Sequence, residues 1–272
     1  MCHVLEVSRS GFYRWMKRKE SKRSLARRRF DVKVKAVFEA RKKRYGSPKI
    51  TEELRNQGIQ TSRSRVAASM KRQGLRSKVR RKYRVTTDSK HSYPVADNLL
   101  NRNFTTQAAN QVWVSDITYI PSRKGWLYLT VILDLFSRMV VGWCISSSLG
   151  HEMVLTALKR ALWRRRPPEG LLFHSDRGVQ YCCEDFRKET KEKAITQSMS
   201  RKGNCWDNAV AESFFRSFKT ECMYHVDIVD LEHSERVAFE YIEGFYNNQR
   251  LHQSNGYLSP AEFERLSFKK CA

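Results

Sequence analysis

The sequence predicts a mixed α/β domain that is preceded by an all-α, strongly basic region. Charge divides the 272-residue chain, because residues 1–110 hold 30 Lys and Arg against 8 Asp and Glu, whereas residues 111–272 hold 22 against 20. Hydrophobic spacing divides it at the same place, since helix-like spacing gives way near residue 111 to the alternation typical of strands. With 40% hydrophobic residues the chain can bury a substantial core, which argues against wholesale disorder.

Composition excludes several classes of protein. No run of 18 or more apolar residues is present, so we expect no transmembrane helix and no membrane partner, and the N-terminus lacks the apolar segment of a signal peptide. Seven cysteines, none spaced Cys-x-x-Cys, predict reduced thiols in a cytoplasm. The net charge of +24 favours DNA or RNA as partner. The alternatives are a merely soluble basic surface and an acidic protein partner.

The basic region is predicted to be helical. Residues 4–16 show the end of a short helix, a turn and a second helix that opens at Ser8 or Ser10, where a hydroxyl can cap backbone N–H groups. We interpret this as a partial helix-turn-helix within residues 1–20. Residues 21–44 favour a further, very basic helix.

Residues 46–74 predict a second and clearer helix-turn-helix. Helix start and stop signals frame two helices: an N-cap serine with a first-turn proline, a glycine, a hydroxyl N-cap and a second glycine. In chain order these are Ser47 with Pro48, Gly58, Thr61 or Ser62, and Gly74. The alternative is a basic helical hairpin that only packs.

Two sets of cations are the candidate DNA contacts, one at the start of the second helix of this motif and one in the basic run that follows it. They are Arg63 and Arg65 in the first set, and Arg80, Arg81 and Lys82 in the second. The chain then turns polar. We therefore predict a basic helical DNA-binding region at 21–84 and a linker at 85–107.

Residues 108–225 are predicted to form the α/β core, and residues 226–272 a helical extension of it. Strand patterns cover residues 111–120, 126–134, 139–146, 171–176 and 194–198, and helical patterns cover residues 151–165, 183–193, 207–224 and 230–246. Three antiparallel strands followed by alternating helices and strands predict a mixed sheet covered by helices. The ribonuclease H-like fold has this order.

Three acidic residues occupy positions in this core where a carboxylate needs a partner. Asp116 lies within the first strand, Asp176 closes the fourth and Glu212 lies in the first turns of a helix, with 59 and 35 residues between them. A carboxylate within or ending a buried strand is unfavourable unless it binds something. Clustered carboxylates suit Mg²⁺ or Mn²⁺, and two such ions roughly 3.5–4 Å apart can hold the attacking and leaving oxygens of a phosphoryl transfer. The alternative for each residue is a surface or capping acid.

The segments around these acids resemble the integrase-core transposases of bacterial insertion sequences. WVSDITYI, FHSDRGVQY and KGNCWDNAVAESFFRSFK surround the three acids, and FYNNQRLHQSNGYLSPAEF follows at 245–263. More narrowly, nearly the whole chain resembles the second-frame (OrfB-type) product of the IS-three family. The resemblance implies a DDE recombinase that needs Mg²⁺ or Mn²⁺ and binds, cuts and joins double-stranded DNA at element ends. Water and then a freed 3′-hydroxyl would be the nucleophiles.

The resemblance also implies roles for individual residues. Asp116, Asp176 and Glu212 match the family's metal ligands. Lys219, two helical turns after Glu212, matches a basic residue that could hold the terminal phosphate, with a solvated lysine as the alternative. Asn208 shares the helix face of Glu212, and we expect it to support the acids rather than bind metal.

Two further polar residues have open roles. His174 precedes Asp176 by two positions and could touch DNA or metal, or be a satisfied core histidine. Asp134, at the end of the second strand, is a rival fourth carboxylate. For Asp134 a turn or an ion pair with Arg138 is the simpler interpretation.

Three functions fit these features. The first is a nucleoid-associated, cytoplasmic transposase that forms a homo-oligomer on DNA. An upstream-frame helix-turn-helix product is a possible partner, because OrfB-type proteins are often joined to one by frameshifting. The second is a catalytically idle DNA-binding regulator, and the third is another ribonuclease H-like nuclease. The three acids with Lys219 argue against the second, and the helix-turn-helix with the family's ending argues against the third. We therefore favour the transposase.

Overall fold

The computed structural model describes residues 2–78, 94–201 and 205–271, which fall into two compact units. The first unit ends at Lys78, and the second contains the remaining described residues. An all-α unit is thus followed by a mixed α/β unit, which confirms the predicted fold class. None of the described helices is both long and apolar enough to cross a membrane.

The described part of the first unit contains four helices, of which the last three share a small apolar core. They are α1 (Arg9–Met16), α2 (Lys22–Ala40), α3 (Ser47–Asn56) and α4 (Arg63–Arg72). The buried side chains are Phe30, Val34, Val37 and Phe38 of α2, Ile50 and Leu54 of α3, Val66 and Met70 of α4, and Tyr45 in the connection before α3. Helices α3 and α4 with their short connection confirm the predicted helix-turn-helix.

Most helix ends in this unit follow the sequence signals. Ser8, Ser21 and Ser62 each accept a backbone N–H with their hydroxyl, so Ser8 and Ser62 are the caps of α1 and α4. Gly58 and Gly74 follow α3 and α4 with φ angles of +78° and +64°. This left-handed conformation is where helices commonly end, and it favours glycine.

The predicted N-cap of α3 is wrong by one residue. Gly46 occupies the cap position, Ser47 is the first helical residue and Pro48 is the second. Ser47 instead offers its main-chain carbonyl, which accepts the Thr51 hydroxyl over 2.7 Å. Glycine is an acceptable N-cap, and proline fits the first turn because its missing N–H would have had no helical partner. The helix can therefore begin before the serine.

A five-stranded mixed sheet forms the centre of the second unit. Its strands are β1 (Val112–Ser122), β2 (Gly125–Asp134), β3 (Val140–Ser146), β4 (Leu172–Ser175) and β5 (Thr196–Met199), in the order β3-β2-β1-β4-β5. β2 is antiparallel to both β1 and β3, whereas β4 is parallel to β1 and to β5. The predicted mixed sheet and its ribonuclease H-like order are confirmed.

Helices cover this sheet and continue beyond it. They are α5 (His151–Arg165), α6 (Val179–Cys182), α7 (Glu184–Glu192), α8 (Ala209–Glu221), α9 (Leu231–Phe239) and α10 (Pro260–Cys271). The helix predicted over 207–224 is shorter, because Asn208 and Cys222 leave helical backbone angles and 3₁₀ turns flank α8. The helix predicted over 230–246 continues after α9 as a π-helix at Glu240–Tyr246.

Buried polar contacts attach the C-terminal residues to the sheet. Asn247 bonds the main chain of Val140 at both ends of its amide, each over 3.0 Å. Glu264 of α10 pairs with Arg165 of α5 at 2.7 Å and accepts the Ser137 hydroxyl at 2.6 Å. The residues after α8 are therefore built into the α/β unit.

Helix α5 approaches the sheet very closely at Gly142 of β3. A Cβ atom at this position would overlap the carbonyl oxygen of Ala157 and lie 2.8 Å from the Cβ of Ala161. Both neighbours belong to α5, whose inner face is buried along its length. Only glycine fits here without moving the helix.

We expect Gly142→Ala to lower the free energy of unfolding by about 1–3 kcal/mol, the usual cost of overpacking a core. Gly244→Ala is the matched control, because nothing lies within 4 Å of the added Cβ. It should leave stability unchanged or raise it by up to about 1 kcal/mol, since alanine favours helical backbone. Urea unfolding followed by circular dichroism compares the two, and equal effects would contradict the close contact at Gly142.

Candidate active site

The pairing of β1 with β4 sets the positions of the first two candidate acids. This parallel ladder pairs residues 112–114 with residues 172–174, a constant offset of 60 residues. The same offset relates Asp116 to Asp176, each of which follows the last pair of the ladder by two residues. Neighbouring strands lie about 4.7–4.9 Å apart, and residues in register point to the same face. The sequence spacing of the two acids therefore equals the length of chain that leaves β1 and comes back as β4 beside it.

Backbone amides hold both carboxylates. Asp116 and Asp176 are half-buried. The amide of Ile117 donates to Oδ1 of Asp116 over 2.8 Å, and the amide of Gly178 donates to Oδ1 of Asp176 over 3.0 Å. A Cβ at Gly178 would itself lie 3.0 Å from that Oδ1. The turn after β4 therefore needs a small residue for the amide to reach the carboxylate.

Helix α8 carries the third acid and the candidate lysine. Glu212 lies in its first turn, and Lys219 lies two turns later on the same face; both are half-buried. Another face of α8 packs through aromatic rings. Phe214 stacks on Phe218 with centroids 6.0 Å apart and meets Tyr246 edge-on at 4.8 Å. This packing fixes which face of α8 remains available to Glu212 and Lys219.

Asp116 is the electrostatic centre of the candidate site. Surrounding protein atoms raise its pKa well above the ordinary value, and the negative charges of Asp176 and Glu212 raise it further, while the amide of Ile117 and the charge of Lys219 act in the opposite direction. Burial also raises the pKa of Glu212 and lowers that of Lys219, which Asp116 partly restores. The structure thus brings the four predicted catalytic residues into one electrostatic neighbourhood.

The donor chemistry of this neighbourhood fits a divalent cation. Carboxylates offer only oxygen, the donor that Mg²⁺ and Mn²⁺ prefer, and a cation would relieve the repulsion that raises the pKa of Asp116. Within the described ranges, however, no three Asp, Glu, His or Cys side chains are already gathered closely enough to hold a metal ion. A cation held by all three predicted acids would therefore require the side chains of Asp116, Asp176 and Glu212 to turn toward one another.

Ser115 connects the strand that carries Asp116 to the start of α8, which carries Glu212, and to α6. Its carbonyl accepts Nδ2 of Asn208, the N-cap residue of α8, over 3.0 Å. Its hydroxyl donates to the carbonyl of Val131, so it must accept from the hydroxyl of Tyr181, 2.8 Å away in α6. Burial raises the pKa of Tyr181 well above its ordinary value, which keeps this phenol a donor.

Sequence reasoning did not identify Ser115 and Tyr181 as members of this hydrogen-bond network. Both lie in segments that drew attention for their acids, Ser115 directly before Asp116 and Tyr181 five residues after Asp176. The only available signal was that proximity, because an uncharged hydroxyl in a strand and an aromatic residue in a helix are ordinary core residues. Asn208 does lie at the candidate site, as predicted.

His174 belongs to the core and not to the site. It is fully buried, and its Nδ1 and Nε2 lie 2.9 and 3.2 Å from the hydroxyls of Ser198 and Ser200. Burial lowers the pKa of His174 to about 4, so the ring is neutral at physiological pH. Of the two interpretations left open, the satisfied core histidine is the one that the structure supports.

Asp134 also has a structural role, but with a different cation from the one predicted. Its Oδ1 accepts the amide of Phe136, which confirms the turn, and its Oδ2 pairs with Arg165 at 3.3 Å. Arg138 instead donates its guanidinium to the carbonyl of Phe104. Its φ of +65° places it in the left-handed turn after β2, where only its amide bonds the carbonyl of Asp134.

A fully buried acid, Asp207, anchors the chain just before α8. Arg201 donates to it from its backbone and its guanidinium, and Arg102 and Asn98 add bonds of 2.9 Å. Arg201 and these other donors hold the pKa of Asp207 well below its ordinary value. Asn98 and Arg102 lie in the predicted linker, and nearby Leu100 is buried. That part of the chain therefore packs on the α/β unit.

The other end of α8 is held by a buried ion pair between Glu221 and Arg250. Their N···O distances are 2.8–3.1 Å, and the hydroxyl of Tyr241 donates to Glu221 over 2.8 Å. Arg250 also reaches Ser217 of α8 at 2.8 Å. Arg250 lies in the FYNNQRLH part of the C-terminal motif, so this part of the motif helps to hold the helix that carries Glu212.

In the first unit, the candidate DNA contacts of α4 lie beside an exposed basic groove. Arg63 and Arg65 are exposed, and the guanidinium of Arg65 lies 4.2 Å over the ring of Phe30. The groove has a volume of about 470 Å³ and is lined by Lys22, Leu25, Ala26, Arg29, Phe30, Lys33, Ile59 and Arg65. Four of these residues are cations and none is an acid. A polyanion would therefore be attracted to this groove.

A neighbouring groove along α2 provides a contrast. It is lined by Arg28, Asp31, Val32, Lys35, Ala36, Glu39 and Gln73, so that two cations face two acids. Sequence reasoning missed Lys22, Arg29 and Lys33, although their spacing of seven and four residues already indicates one helix face. The predicted contacts Arg80, Arg81 and Lys82 lie outside the described residues.

Family models define the class of protein. The integrase core domain matches residues 106–205 and, in a second model, residues 212–268. The HTH-like domain matches residues 24–83. The chain therefore combines a helix-turn-helix region with an integrase core.

Relatives identify the family. Over 266 residues the chain is 44% identical to Transposase InsF for insertion sequence IS3A of Escherichia coli strain K12, covering 97% of this chain and 92% of that protein. It is 43% identical over 263 residues to the insertion element IS600 31 kDa protein of Shigella sonnei, covering 97% of each. The chain belongs to the IS3 family of insertion-sequence transposases. Among solved structures, the HTLV-2 integrase catalytic core domain in complex with magnesium (trimeric form) is similar at a TM-score of 0.43 and 15% identity, over 59% of this chain and 99% of that one.

We expect Asp116→Asn to raise the thermal midpoint of the cation-free protein at neutral pH by a few degrees. A raised pKa means that the fold favours neutral Asp116, so the ionised form costs stability as the pH rises, and this cost disappears in the variant. The gain should shrink as the pH falls and vanish below the ordinary pKa of aspartate, where the parent is neutral in both states. Scanning calorimetry across pH measures the difference.

The control for this experiment is Asp207→Asn, because the pKa of the Asp207 carboxyl is lowered rather than raised. Its lowered pKa contributes stability at neutral pH that is lost only in strong acid, so the variant should be less stable by about 1–3 kcal/mol. If Asp116→Asn were destabilising like Asp207→Asn, the repulsive cluster around Asp116 would be contradicted.

Proposed function

We propose that this transposase cleaves and joins DNA at the ends of its insertion sequence by divalent-cation-dependent phosphoryl transfer. The observation that carries the proposal is the electrostatic grouping of Asp116, Asp176, Glu212 and Lys219, which come from β1, the end of β4 and α8. An integrase core implies polynucleotidyl transfer in general. A half-buried group of like charges costs stability, so a function explains its presence better than folding does.

Each of these residues has a role in the proposal. Asp116, Asp176 and Glu212 would hold Mg²⁺ or Mn²⁺, ions that neutralise negative charge on the attacking and leaving oxygens of a phosphoryl transfer. Lys219 would bind the terminal phosphate of the element end, because its ammonium is a compact charge on the same helix face as Glu212. Water would attack first, and the 3′-hydroxyl that it frees would attack the target strand. In each transfer one phosphodiester P–O bond breaks as another forms.

We propose that the first unit contacts the DNA of the element end. The basic groove between α2 and the start of α4, together with Arg63, supports this role, because its cations are unopposed by acids among the lining residues. Arg80, Arg81 and Lys82 would extend the contact along the phosphate backbone. Phosphate contacts of this kind position a protein on DNA, whereas base contacts provide its sequence preference.

Three remaining parts of the proposal rest on the family alone: a homo-oligomer on DNA, an upstream-frame helix-turn-helix partner and association with the nucleoid. The domain boundaries proposed above rest on the sequence patterns. A catalytically idle regulator is the second candidate function. It is favoured by one observation, that the described acids are not already gathered as metal ligands.

Strand joining tests the proposed reaction. We expect Asp116→Asn, Asp176→Asn and Glu212→Gln each to reduce joining by a hundredfold to a thousandfold or more, since each removes charge stabilisation from the transition state. DNA binding should persist in all three. The substrates are DNA ends from the flanks of the gene, with Mg²⁺ or Mn²⁺.

Glu192→Gln is the matched control for joining, because Glu192 is an exposed acid at the end of α7. It should join DNA like the parent. Parental joining by any of the three site variants would refute the assignment. Binding without joining in the parent protein as well would favour the regulator.

Salt dependence tests the proposed DNA surface. We expect the binding constant of the parent to fall steeply with salt, and Arg29→Ala with Lys33→Ala to reduce the log–log slope by about 1 for each lost phosphate contact. Arg28→Ala with Lys35→Ala removes the same charge from the neighbouring groove and should change the slope less. Equal changes in the two double variants, measured by fluorescence anisotropy, would exclude a specific role for the basic groove.

A further inference from the structure

A buried asparagine lies between the elements that carry two of the acids. Asn208 is 5% exposed, and its Nδ2 donates to the carbonyl of Ser115 over 3.0 Å. Ser115 directly precedes Asp116 in β1, and Asn208 precedes Glu212 by four residues at the start of α8. This single hydrogen bond therefore joins the strand of one acid to the helix of another.

The other end of the Asn208 amide has no such partner. Its Oδ1 is buried, and no described residue donates to it. The amide cannot be reversed, because Oδ1 would then face the carbonyl of Ser115, which is also an acceptor. Buried acceptors in proteins are almost always paired, so this oxygen needs a donor.

The neighbouring charged residues do not supply that donor. No described hydrogen bond joins Asp116 or Glu212 to this oxygen, and both acids can only accept once they are ionised to bind a cation. Lys219 lies about three helical turns from Asn208 along α8. A water molecule that coordinates a cation is a strong donor, and Mg²⁺ keeps several of its waters when proteins bind it. An amide oxygen accepts from such a water without adding a fourth negative charge to the cluster.

We propose that Asn208 is a positioning residue of the cation site, and that its Oδ1 accepts a hydrogen bond from a hydration water of the divalent cation. The proposal rests on the function proposed for the three acids and adds an uncharged member to their site. In this proposal the main-chain carbonyl of Ser115 fixes the orientation of the Asn208 amide. Asn208 thereby links β1, α8 and the cation.

The test measures Mn²⁺ binding to the full chain by calorimetry and by the rise in thermal midpoint that Mn²⁺ produces. Asn208→Ala should weaken Mn²⁺ binding by about tenfold to a hundredfold, the usual effect of losing an outer-shell partner. Its midpoint without Mn²⁺ should change little, because the variant also removes an unpaired buried oxygen.

Asn247→Ala is the matched control. Asn247 is equally buried, but both ends of its amide are bonded to the main chain of Val140. This variant should lower the midpoint without Mn²⁺ and keep parental Mn²⁺ affinity. If Asn208 had only a structural role, Asn208→Ala would likewise lower the midpoint without Mn²⁺ and keep parental Mn²⁺ affinity. Parental Mn²⁺ affinity in Asn208→Ala would overturn the proposal.

Two more variants make the outcome decisive. Asp116→Asn should abolish Mn²⁺ binding; if it does and Asn208→Ala binds normally, only the role of Asn208 is refuted, whereas normal binding by Asp116→Asn refutes the proposed cation site itself. Asn208→Asp keeps an oxygen toward the cation but sets another against the Ser115 carbonyl. It should have a lower midpoint than the parent without Mn²⁺ and a larger rise with it. This readout serves if Asn208→Ala does not fold, and a rise no larger than that of the parent would overturn the proposal.

Discussion

The parallel pairing of β1 with β4 is the constraint on which the candidate site depends. An antiparallel hairpin can be closed by two residues, but a parallel neighbour requires the chain to cross back over the sheet. Here the crossing takes in β2, β3 and α5 before the chain returns beside β1. That entire crossing brings β4, and with it Asp176 just after its end, beside the strand that carries Asp116. The close contact of α5 with Gly142 belongs to the same crossing, so packing far from the acids contributes to their alignment.

The second unit treats its acidic residues in two opposite ways. Asp207, Glu221 and Glu264 are buried with arginine partners and join separate segments of the chain. Asp116 receives one backbone amide and the company of two other carboxylates, with a lysine as the opposing charge. The paired acids hold the two ends of α8 and the C-terminal helix in position. That rigidity lets the fold tolerate the repulsion at Asp116, in keeping with the general finding that unfavourable electrostatics collect at functional sites.

Much of this arrangement could be predicted from the sequence, because strong local signals produced it. Alternating residues in the first strand and short apolar runs in the others predicted all five strands within a few residues, and glycines and serines marked the ends of α3 and α4. The start of α3 was misplaced because Gly46 and Ser47 are both acceptable caps, and local preference does not choose between them. The three acids stood out since charge is rare within buried strands, and the family motifs supported them. For Asp134 a turn or an ion pair with Arg138 was predicted; the turn is present, but the ion pair is with Arg165, which comes from a helix thirty-one residues away. The contacts of Ser115 with Tyr181 and Asn208 were hidden for the same reason, because they join residues far apart in the chain. Asn208 itself was found from its spacing to Glu212, whereas Ser115 and Tyr181 carry no charge that would have marked them.

The attachment of the C-terminal residues has a consequence for the order in which contacts form while the protein is synthesised. Arg250 pairs with Glu221 and donates a hydrogen bond to Ser217 of α8, and Glu264 pairs with Arg165 of α5. A ribosome synthesises Arg250 and Glu264 after all the acids of the candidate site. While translation is in progress, α8 therefore lacks the partner that holds its far end, and Glu221 carries a charge that the folded protein pairs. The contacts that hold the far end of α8 in the folded protein can therefore form only after synthesis has passed residue 250.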